Sequence, residues 1–298
     1  MPNDVLFSII IPTYNRASIL PRAIESVITQ DFSNWELIII DDGSTDTTRA
    51  EVEKFLKDGR ISYFWQKNKE LNAARNTGIK LAKGTYLAFL DDDDYYLPNH
   101  LSYLAKILKD KNYPHIAIRT RMWRTNKGFK QKSILLNDSF PSCIGHFWQN
   151  PTNLLSFVFH SSIFQTHIFN EELILAEDFH FLLRVLLDFP FVQLDEVTVV
   201  YQLQETSRSV SYYSEKHLEK KINSFNDIWL IRGEDLLKYL PHNALKRKIT
   251  REYLHFTRIS FRNNAKKLGW KYFFSALKQF DIKAINDYTY TFLIGIFK

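Results

Sequence analysis

Four consecutive aspartates occupy residues 91–94, directly after the apolar segment 86–90. Neighbouring carboxylates repel one another and raise one another's pKa unless a cation or a hydrogen-bond donor compensates them. Carboxylate oxygens at the carboxyl end of a strand suit Mg²⁺ or Mn²⁺, whose remaining ligands are waters and substrate phosphates. The alternative is a solvated acidic turn that opens a helix, because Asp favours N-caps and first turns. The run therefore predicts either a metal site or a helix start.

Two upstream polar clusters also follow apolar, strand-like segments. The β-branched run 7–11 is stopped by the polar residues 12–15, and the apolar run 37–40 is followed by Asp41 and Asp42. Continuous apolar runs of this length are typical of parallel strands that are buried on both faces. Ligands of parallel sheets collect beyond the carboxyl ends of the strands. We therefore expect both clusters and the aspartate run to lie along one rim of a sheet.

The elements that must position these clusters alternate along the chain. The patterns predict strands at 7–11, 37–40, 61–65, 86–90 and 116–123 and helices at 18–30, 45–56, 72–82 and 175–184. Strands separated by helices favour a right-handed crossover and a mostly parallel central sheet with helices on both faces. The fold class predicted is therefore α/β.

The composition is that of an ordinary globular protein, with 45% apolar and 24% charged residues among 298. This length suits one large domain, or one domain with a substantial appendage. The single cysteine, Cys143, excludes an internal disulfide and a zinc cluster built on thiolates. No apolar stretch is long enough to span a bilayer, and the first residues lack the basic region of a signal peptide. These features predict a cytoplasmic protein.

Charge divides the chain into two parts. Residues 1–211 carry 22 Lys and Arg against 25 Asp and Glu, whereas residues 212–298 carry 17 against 8, a net charge of +9. We predict an α/β domain over 1–211 and a basic helical extension over 212–298. Basic residues interleaved with aromatics in residues 242–298 suit a helix on an anionic membrane surface, where the protein would be peripheral.

The basic extension could also be a packing element. Its aromatic residues could pack on the α/β domain, or on a second subunit of a homo-oligomer. Nucleic acid is a poor partner, because the acidic rim would repel phosphate and no recognition motif is present.

Five sequence blocks carry a family resemblance. They are SIIIPTYNR (8–16), IIDDGSTD (39–46), ARNTGI (74–79), FLDDDD (89–94) and AED (176–178). In this order and spacing they resemble the inverting glycosyltransferases of family 2, which have the GT-A fold, over about residues 6–211. The resemblance implies a nucleotide-diphosphate sugar donor, most simply a UDP-sugar. It also implies a glycan or polyprenyl-linked acceptor, as in bacterial surface-polysaccharide assembly.

The resemblance assigns nucleotide binding to Pro12, Tyr14 and Asp42, with Asp41 beside them. Tyr14 could stack on the base and Asp42 could accept the imide N–H of a uracil. Helix capping is the alternative for both aspartates, and a turn position is the alternative for Tyr14. Arg75 could hold phosphate bidentately or form a salt bridge to one of the aspartates.

The D-x-D motif of the family aligns with residues 91–93. Asp91 would reach the ribose, and Asp93 would bind the Mg²⁺ or Mn²⁺ that bridges the diphosphate. Asp92 is grouped with the donor-binding residues, although its side chain is expected to point away. Asp178 would be the general base that deprotonates the acceptor hydroxyl, and a helix N-terminus stabilised by its dipole is the alternative for this acidic pair.

Three departures from the family pattern stand out. Gln202 and Gln204 occupy positions where Arg and His are common, so a metal or phosphate contact is either missing or supplied elsewhere, by Arg208 or His217. The segment 69–71 lacks the usual glycine before the ARN block. The Q-x-x-R-W signature of processive polymerases is absent, which indicates transfer of single sugars.

Two other functions fit the sequence less well. A nucleotidyltransferase would need a glycine-rich basic loop after the first strand, and residues 12–16 do not provide one. A non-catalytic sugar-nucleotide-binding scaffold has only the two glutamines in its favour.

Overall fold

Two compact units, Met1–Ser207 and Arg208–Lys298, make up the chain in the computed structural model. The structure describes residues 5–110, 115–126, 129–133, 142–203 and 214–279. Arg208, Gln204 and the aromatic end of the tail beyond residue 279 lie outside this part.

Nine strands form the sheet in the described part of the first unit. They are β1 (Phe7–Thr13), β2 (Trp35–Asp41), β3 (Ile61–Trp65), β4 (Tyr86–Phe89), β5 (Tyr95–Tyr96), β6 (Ala117–Asn126), β7 (Phe129–Lys132), β8 (Phe157–His160) and β9 (Phe191–Gln202). Their order is β3-β2-β1-β4-β8-β6-β9-β5, with β7 paired to β6. Strands β3, β2, β1 and β4 run parallel, as the sequence predicted, while β8 joins β4 in the antiparallel direction.

Six helices accompany these strands in the described part of the unit. They are α1 (Leu20–Ile28), α2 (Thr48–Glu53), α3 (Glu70–Leu81), α4 (His100–Asp110), α5 (Ser142–Gln149) and α6 (Glu177–Asp188). Helices α1 and α2 are shorter than predicted. Helix α3 begins two residues before the predicted start, at Glu70, a residue with φ of 71°.

Strand β1 is the centre of the core, and every residue in it is buried. Because successive side chains of a strand point to opposite faces, β1 packs helices on both sides of the sheet. Ile9 and Ile11 belong to a cluster with Leu20 and Ile24 of α1, whereas Ile10 faces α3 at Gly78. This arrangement confirms that helices cover both faces.

Pro12 sits in β1 although proline cannot donate to a strand ladder. Asp42 N donates to Thr13 O (2.9 Å) on the β2 side, and Leu90 N donates to Ile10 O (3.0 Å) on the β4 side. Alternation therefore directs the Pro12 nitrogen towards β4, beyond the last pair of that ladder at Ile10 and Phe89. The proline costs no hydrogen bond there and ends the strand at the rim.

The second unit contains three helices in its described part, α7 (Glu215–Leu236), α8 (Ala244–Arg262) and α9 (Lys266–Lys278). Helix α7 starts at Ser214, whose hydroxyl accepts from the His217 N–H as an N-cap. A small core joins the three helices through Leu218, Ile222, Ile249, Phe256 and Tyr272. Among the helices described here, none is long and apolar enough to cross a membrane.

Gly78 lets α3 approach β1 closely enough to place its polar residues at the rim. A Cβ at position 78 would lie 2.4 Å from Ile10 Cγ2, and Ile10 is itself fully buried. We expect Gly78→Ala to lower the free energy of unfolding by roughly 2–3 kcal/mol, because the overpacked core cannot relax. Chemical denaturation measures this change. Gly59→Ala is the matched control, since a Cβ there meets nothing within 4 Å; an equal loss in both variants would show that close packing at Gly78 is not the cause.

Candidate active site

The three predicted polar clusters meet at one edge of the sheet. Thr13 pairs in register with Asp41 at the ends of β1 and β2. The Thr13 hydroxyl donates to Asp92 Oδ2 at 2.8 Å, which connects the end of β1 to the aspartate run after β4. Asn15 has φ of 52°, and its Oδ1 accepts from the Thr45 N–H at 2.8 Å. The loops after β1, β2 and β4 are therefore tied together.

Asp41 and Asp42 differ in what their oxygens contact. Asp41 is buried; its Oδ1 accepts from the Ser44 N–H (2.7 Å) and its Oδ2 from the Tyr63 hydroxyl (2.6 Å). These bonds tie Asp41 to the loop after β2 and to β3, so it shapes this part of the rim. Asp42 accepts from Gln66 Nε2 (2.7 Å) and the Lys69 N–H (3.0 Å), both through Oδ1. No described residue bonds its Oδ2, which leaves one acceptor for a ligand.

Pro12 and Tyr14, the other residues predicted to bind a nucleotide, flank Thr13, which pairs with Asp41 on the neighbouring strand. Pro12 is buried at the end of β1, whereas 42% of the Tyr14 side chain is exposed. An exposed aromatic ring at the rim can stack on a planar base.

Asp92 and Asp94 of the acidic run point into the protein. Burial raises the pKa of Asp92 to about 7, against the hydrogen bond from Thr13, and the charge of Asp93 adds to the rise. Asp94 is fully buried; its Oδ1 accepts from the Gln202 N–H at 2.8 Å, and its Oδ2 has no partner among the residues described. Burial, and then the charges of Asp91 and Asp93, raise its pKa as well.

Asp93 is the member of the run predicted to bind a metal. Burial and the charge of Asp91 raise the pKa of its carboxyl, while Arg16 and Arg22 oppose that rise. A cation beside Asp93 would relieve this cost. The described residues contain no set of three or more His, Cys, Asp or Glu that could hold a metal ion. Mg²⁺ bound by one or two carboxylates and substrate phosphates needs no such set, so the residues fit a metal that is shared with a diphosphate.

Arg75 on α3 joins the two halves of the site. Its side chain is buried, with 1% of the residue exposed. Nη1 lies 2.7 Å from Asp178 Oδ1 and 4.0 Å from Glu177 Oε1, and Nη2 lies 3.2 Å from Asp91 Oδ1. Burial lowers the pKa of Arg75, but the charges of Asp178, Asp91 and Glu177 outweigh it and raise that pKa. Arg75 therefore forms the salt bridge that the sequence suggested, and its two close partners are Asp178 and Asp91.

Asp178, the predicted base, lies in the first turn of α6. Burial raises its pKa; the charge of Arg75 opposes the rise, and the Leu154 N–H, which donates to the carboxylate, opposes it too. Ala176, two residues before Asp178, has φ of 56°, a left-handed conformation that is costly for a residue with a Cβ. The chain thus enters α6 through a left-handed residue, and Asp178 in the first turn lies 2.7 Å from Arg75.

Two asparagines that sequence reasoning did not single out hold the approach to α6. Asn72 Nδ2 donates to the carbonyls of Asn170 and Leu173, both at 2.8 Å. Asn76 donates to the Phe169 carbonyl (3.0 Å) and accepts from the Phe169 N–H (3.0 Å). Their spacing with Arg75 places all three on one face of α3, and this i, i+3, i+4 pattern is the signal that could have found them.

Arg119 on β6 supports the turn that carries Leu154. It is buried; Nη2 donates to Thr152 Oγ1 at 2.8 Å and Nε to Ser156 Oγ at 3.4 Å, on either side of Leu154. Burial, followed by the charges of Arg121 and Arg124, lowers its pKa to about 10. No motif in the sequence marks Arg119, because these partners lie more than 30 residues away along the chain.

The family departures have specific structural outcomes. Gln202 contributes its backbone N–H to Asp94, as described above, so this position supports the acidic run through the main chain. His217 caps α7 together with Ser214 in the second unit. Glu70 takes the place of the usual glycine and adopts a positive φ there, so the loop keeps a glycine-like conformation without the glycine.

The conformation of Glu70 predicts the order of two substitutions. Glu70→Gly should be more stable than Glu70→Ala by about 1 kcal/mol, because only glycine adopts a left-handed conformation without steric cost. Both variants remove the carboxylate, so thermal unfolding of the pair isolates the backbone effect. Helix propensity alone gives the opposite order, since Ala exceeds Gly by about 1 kcal/mol inside a helix; that result would show that position 70 is not strained.

Asp92 predicts a pH dependence of stability. Its pKa rises from 3.8 in the unfolded chain to about 7 in the folded one, so between these values the folded state binds more protons. The free energy of unfolding should therefore fall as pH rises from about 4.5 to 7.5. In Asp92→Asn this decrease should be smaller by roughly 1–3 kcal/mol, because the titrating carboxyl is absent. Melting curves in metal-free buffer measure the two slopes. Asp31→Asn, at an exposed position, is the control; identical slopes in wild type and Asp92→Asn would mean that Asp92 is charged when folded.

Comparison with known proteins agrees with this geometry. Residues 8–177, more than half of the chain, match the family model described as "Glycosyl transferase family 2". An uncharacterized glycosyltransferase of Rickettsia conorii is 45% identical over 111 residues, which cover 37% of this chain and 18% of that protein. The Escherichia coli protein named UDP-Glc:alpha-D-GlcNAc-diphosphoundecaprenol beta-1,3-glucosyltransferase WfgD is 40% identical over 111 residues, 37% of this chain and 44% of that protein. The matched segment thus spans less than half of either relative.

A solved structure extends the likeness to almost the whole chain. Staphylococcus aureus TarS, residues 1–349 in complex with UDP-GlcNAc, superposes with a TM-score of 0.66 at 20% identity, covering 96% of this chain and 90% of that one. This likeness confirms the predicted GT-A fold, a Rossmann-like and mostly parallel sheet with helices on both faces and C-terminal helices after it. The family match, the relatives and the fold agree, and the chain belongs to glycosyl transferase family 2.

Proposed function

We propose that this protein transfers a single sugar from a nucleotide-diphosphate sugar, most simply a UDP-sugar, to a hydroxyl group of a glycan or lipid-linked acceptor, with inversion at the anomeric carbon. The observation that carries the proposal is the position of Arg75, within 3.2 Å of Asp91 after β4 and within 2.7 Å of Asp178 on α6. One cation thereby sets the distance between a donor-side carboxylate and a carboxylate that can serve as base.

The nucleotide would bind where the loops after β1 and β2 meet. Asp42 Oδ2 offers an acceptor for an imide N–H, and the exposed ring of Tyr14 offers a stacking surface. A base with an N–H flanked by two carbonyls, such as uracil, presents the matching donor. This match favours a UDP-sugar.

The diphosphate would lie against the acidic run with a divalent cation, Mg²⁺ or Mn²⁺, held by Asp93. Such a cation neutralises charge that develops on the leaving diphosphate. Asp91 stays paired with Arg75 and is oriented towards the ribose side. Asp94, anchored by the Gln202 N–H, fixes the turn that presents Asp93.

Asp178 would act as general base in one displacement step. Its carboxylate takes the proton of the acceptor hydroxyl while that oxygen attacks the anomeric carbon and the bond from that carbon to the diphosphate oxygen breaks. Inversion requires the base on the face opposite the leaving group. The raised pKa of its carboxyl favours proton uptake, while Arg75 and the Leu154 N–H favour the ionised form that a base requires.

The proposed class of acceptor is supported by the name of one relative, WfgD. WfgD is named for a sugar acceptor on a diphosphoundecaprenol lipid. A similar polyprenyl-linked acceptor would place the reaction of this protein at the cytoplasmic face of a membrane.

A non-catalytic donor-binding scaffold is the alternative. Only Gln202 and Gln204 favour it, whereas Asp93 and Asp178, the carboxylates that metal binding and proton transfer would need, are both present. A nucleotidyltransferase is disfavoured because the loop after β1 contains no glycine-rich phosphate cradle.

Two isosteric substitutions separate donor binding from transfer. Asp178→Asn should keep the donor-induced thermal shift and lose transfer by about 10²- to 10⁴-fold, since an amide of the same shape can still accept a hydrogen bond from Arg75 but cannot take up a proton. Asp93→Asn should lose the part of the donor shift that requires Mn²⁺, because a ligand stabilises the fold only if it binds. The measurements are thermal shifts with UDP-glucose and UDP-GlcNAc, with and without Mn²⁺, and UDP release with a polyprenyl-diphosphate-linked GlcNAc acceptor.

The control is Glu172→Gln, an exposed carboxylate in the segment that leads to α6. It should match wild type in both measurements. Transfer by Asp178→Asn at the wild-type rate would exclude Asp178 as the base, and a donor shift in wild type without any transfer would favour the scaffold.

A further inference from the structure

Helix α9 presents an exposed face made only of lysines and aromatic rings. Its exposed residues are Lys266, Lys267, Trp270, Lys271, Phe274 and Lys278, here called the α9 face. At about 100° per residue these six positions fall within an arc of about 140°, with Trp270 and Phe274 between lysines on both sides. No acidic residue interrupts the arc.

The core of the second unit does not need this face. Tyr272, Phe273 and Ala276 lie on the opposite side of α9 and are buried. Phe256 of α8 packs edge-to-face on Tyr272 with ring centroids 4.8 Å apart. Trp270 also contacts Phe261 of α8 edge-to-face, with ring centroids 5.5 Å apart, yet 37% of Trp270 and 56% of Phe274 remain exposed.

The lysines of the α9 face are largely uncompensated. Lys271 pairs with Glu215 at the start of α7. Lys266, Lys267 and Lys278 form no ion pair with any residue in the described part of the chain. The nearest feature along the chain, α8, adds to the charge, because its exposed residues are Lys246, Arg251, His255 and Arg262.

We propose that the α9 face docks on an anionic lipid surface. Aromatic rings that project from a helix between lysines can enter the headgroup region, while the lysine stems extend along the apolar surface and keep their charges at the phosphates. Each lysine near an anionic membrane surface adds attraction of its own. Rings 6.0 Å apart, such as those of Trp270 and Phe274, would insert as one unit.

Two other occupants fit the face less well. A second copy of the chain related by two-fold symmetry would bring lysines opposite lysines, because both copies would present the same patch. A single-stranded nucleic acid would use the lysines but needs separated rings on which successive bases can stack. Trp270 and Phe274 instead lie against each other with an interplanar angle of 30°.

Membrane docking goes beyond the proposed reaction and does not depend on it. If the protein bound lipid but transferred no sugar, membrane docking would stand and the proposed reaction would not. Docking would bring the chain to the surface on which a polyprenyl-linked acceptor resides.

The test is cosedimentation of the full chain with vesicles of equal parts phosphatidylglycerol and phosphatidylcholine, and with pure phosphatidylcholine vesicles. Wild type should bind the anionic vesicles more tightly, and added salt should weaken binding through screening. Trp270→Ser with Phe274→Ser should weaken binding roughly tenfold or more through lost apolar burial. Lys266→Glu with Lys267→Glu should weaken it by at least about fivefold for each lysine lost.

Matched controls come from exposed positions on the first unit. Phe129→Ser removes a ring that is 83% exposed on β7. Lys106→Glu with Lys109→Glu changes the net charge equally on α4, where both lysines are exposed. Both controls should bind vesicles as wild type does, and unchanged melting temperatures would show that each variant is folded.

Three outcomes would overturn the proposal. Wild type could fail to bind anionic vesicles, or the α9 face variants could bind as tightly as the controls. In the third, light scattering would show a wild-type dimer that the α9 face variants dissociate, without vesicle binding, which would assign the face to a second copy. The proposal would also be overturned if single-stranded oligonucleotides reversed vesicle binding and if that binding did not depend on Trp270 and Phe274.

Discussion

The ion pairs of Arg75 are the interaction on which the rest of the site depends. A guanidinium with 1% of its residue exposed is stable only beside carboxylates, and Asp91 and Asp178 are stable in their positions only beside a cation. The three charges come from α3, the end of β4 and the start of α6. Correct placement of each element is therefore a condition for the placement of the other two. Gly78 meets one such condition by letting α3 lie close to β1.

The acidic run shows how one sequence feature divides into different physical roles. Asp92 and Asp94 turn inward, where burial raises the pKa of each carboxyl and where Thr13 and the Gln202 N–H are their partners. Asp91 pairs with Arg75, and at Asp93 burial and the charge of Asp91 raise the pKa while Arg16 and Arg22 oppose the rise. A run of four like charges is thus tolerated because each member meets a different environment.

Much of this architecture could be predicted from the sequence because its signals are local. An apolar run followed by polar residues occurs at β1, β2 and β4. This pattern indicates a sheet whose functional residues lie along the edge at the carboxyl ends of these strands. Contacts made by main-chain groups of distant segments carry no such signal. The Leu154 N–H on Asp178, and the turn that Arg119 holds around it, depend on where β6 and β8 bring the chain. The sequence shows that the usual glycine is absent at 69–71. Only the structure shows that Glu70 keeps a left-handed, glycine-like backbone conformation.

The clamp formed by Asn72 and Asn76 has a consequence for turnover. Both side chains are neutral and bind mainly to main-chain groups of residues 169–173, the segment that leads to α6. Amide-to-carbonyl bonds do not change when ionic strength or protonation changes nearby. In the proposed reaction Asp178 would gain a proton and the site would release an anionic nucleoside diphosphate in every cycle. The bonds from these amides to the main chain therefore do not depend on the charge of the site, and they can restore the same geometry after each cycle.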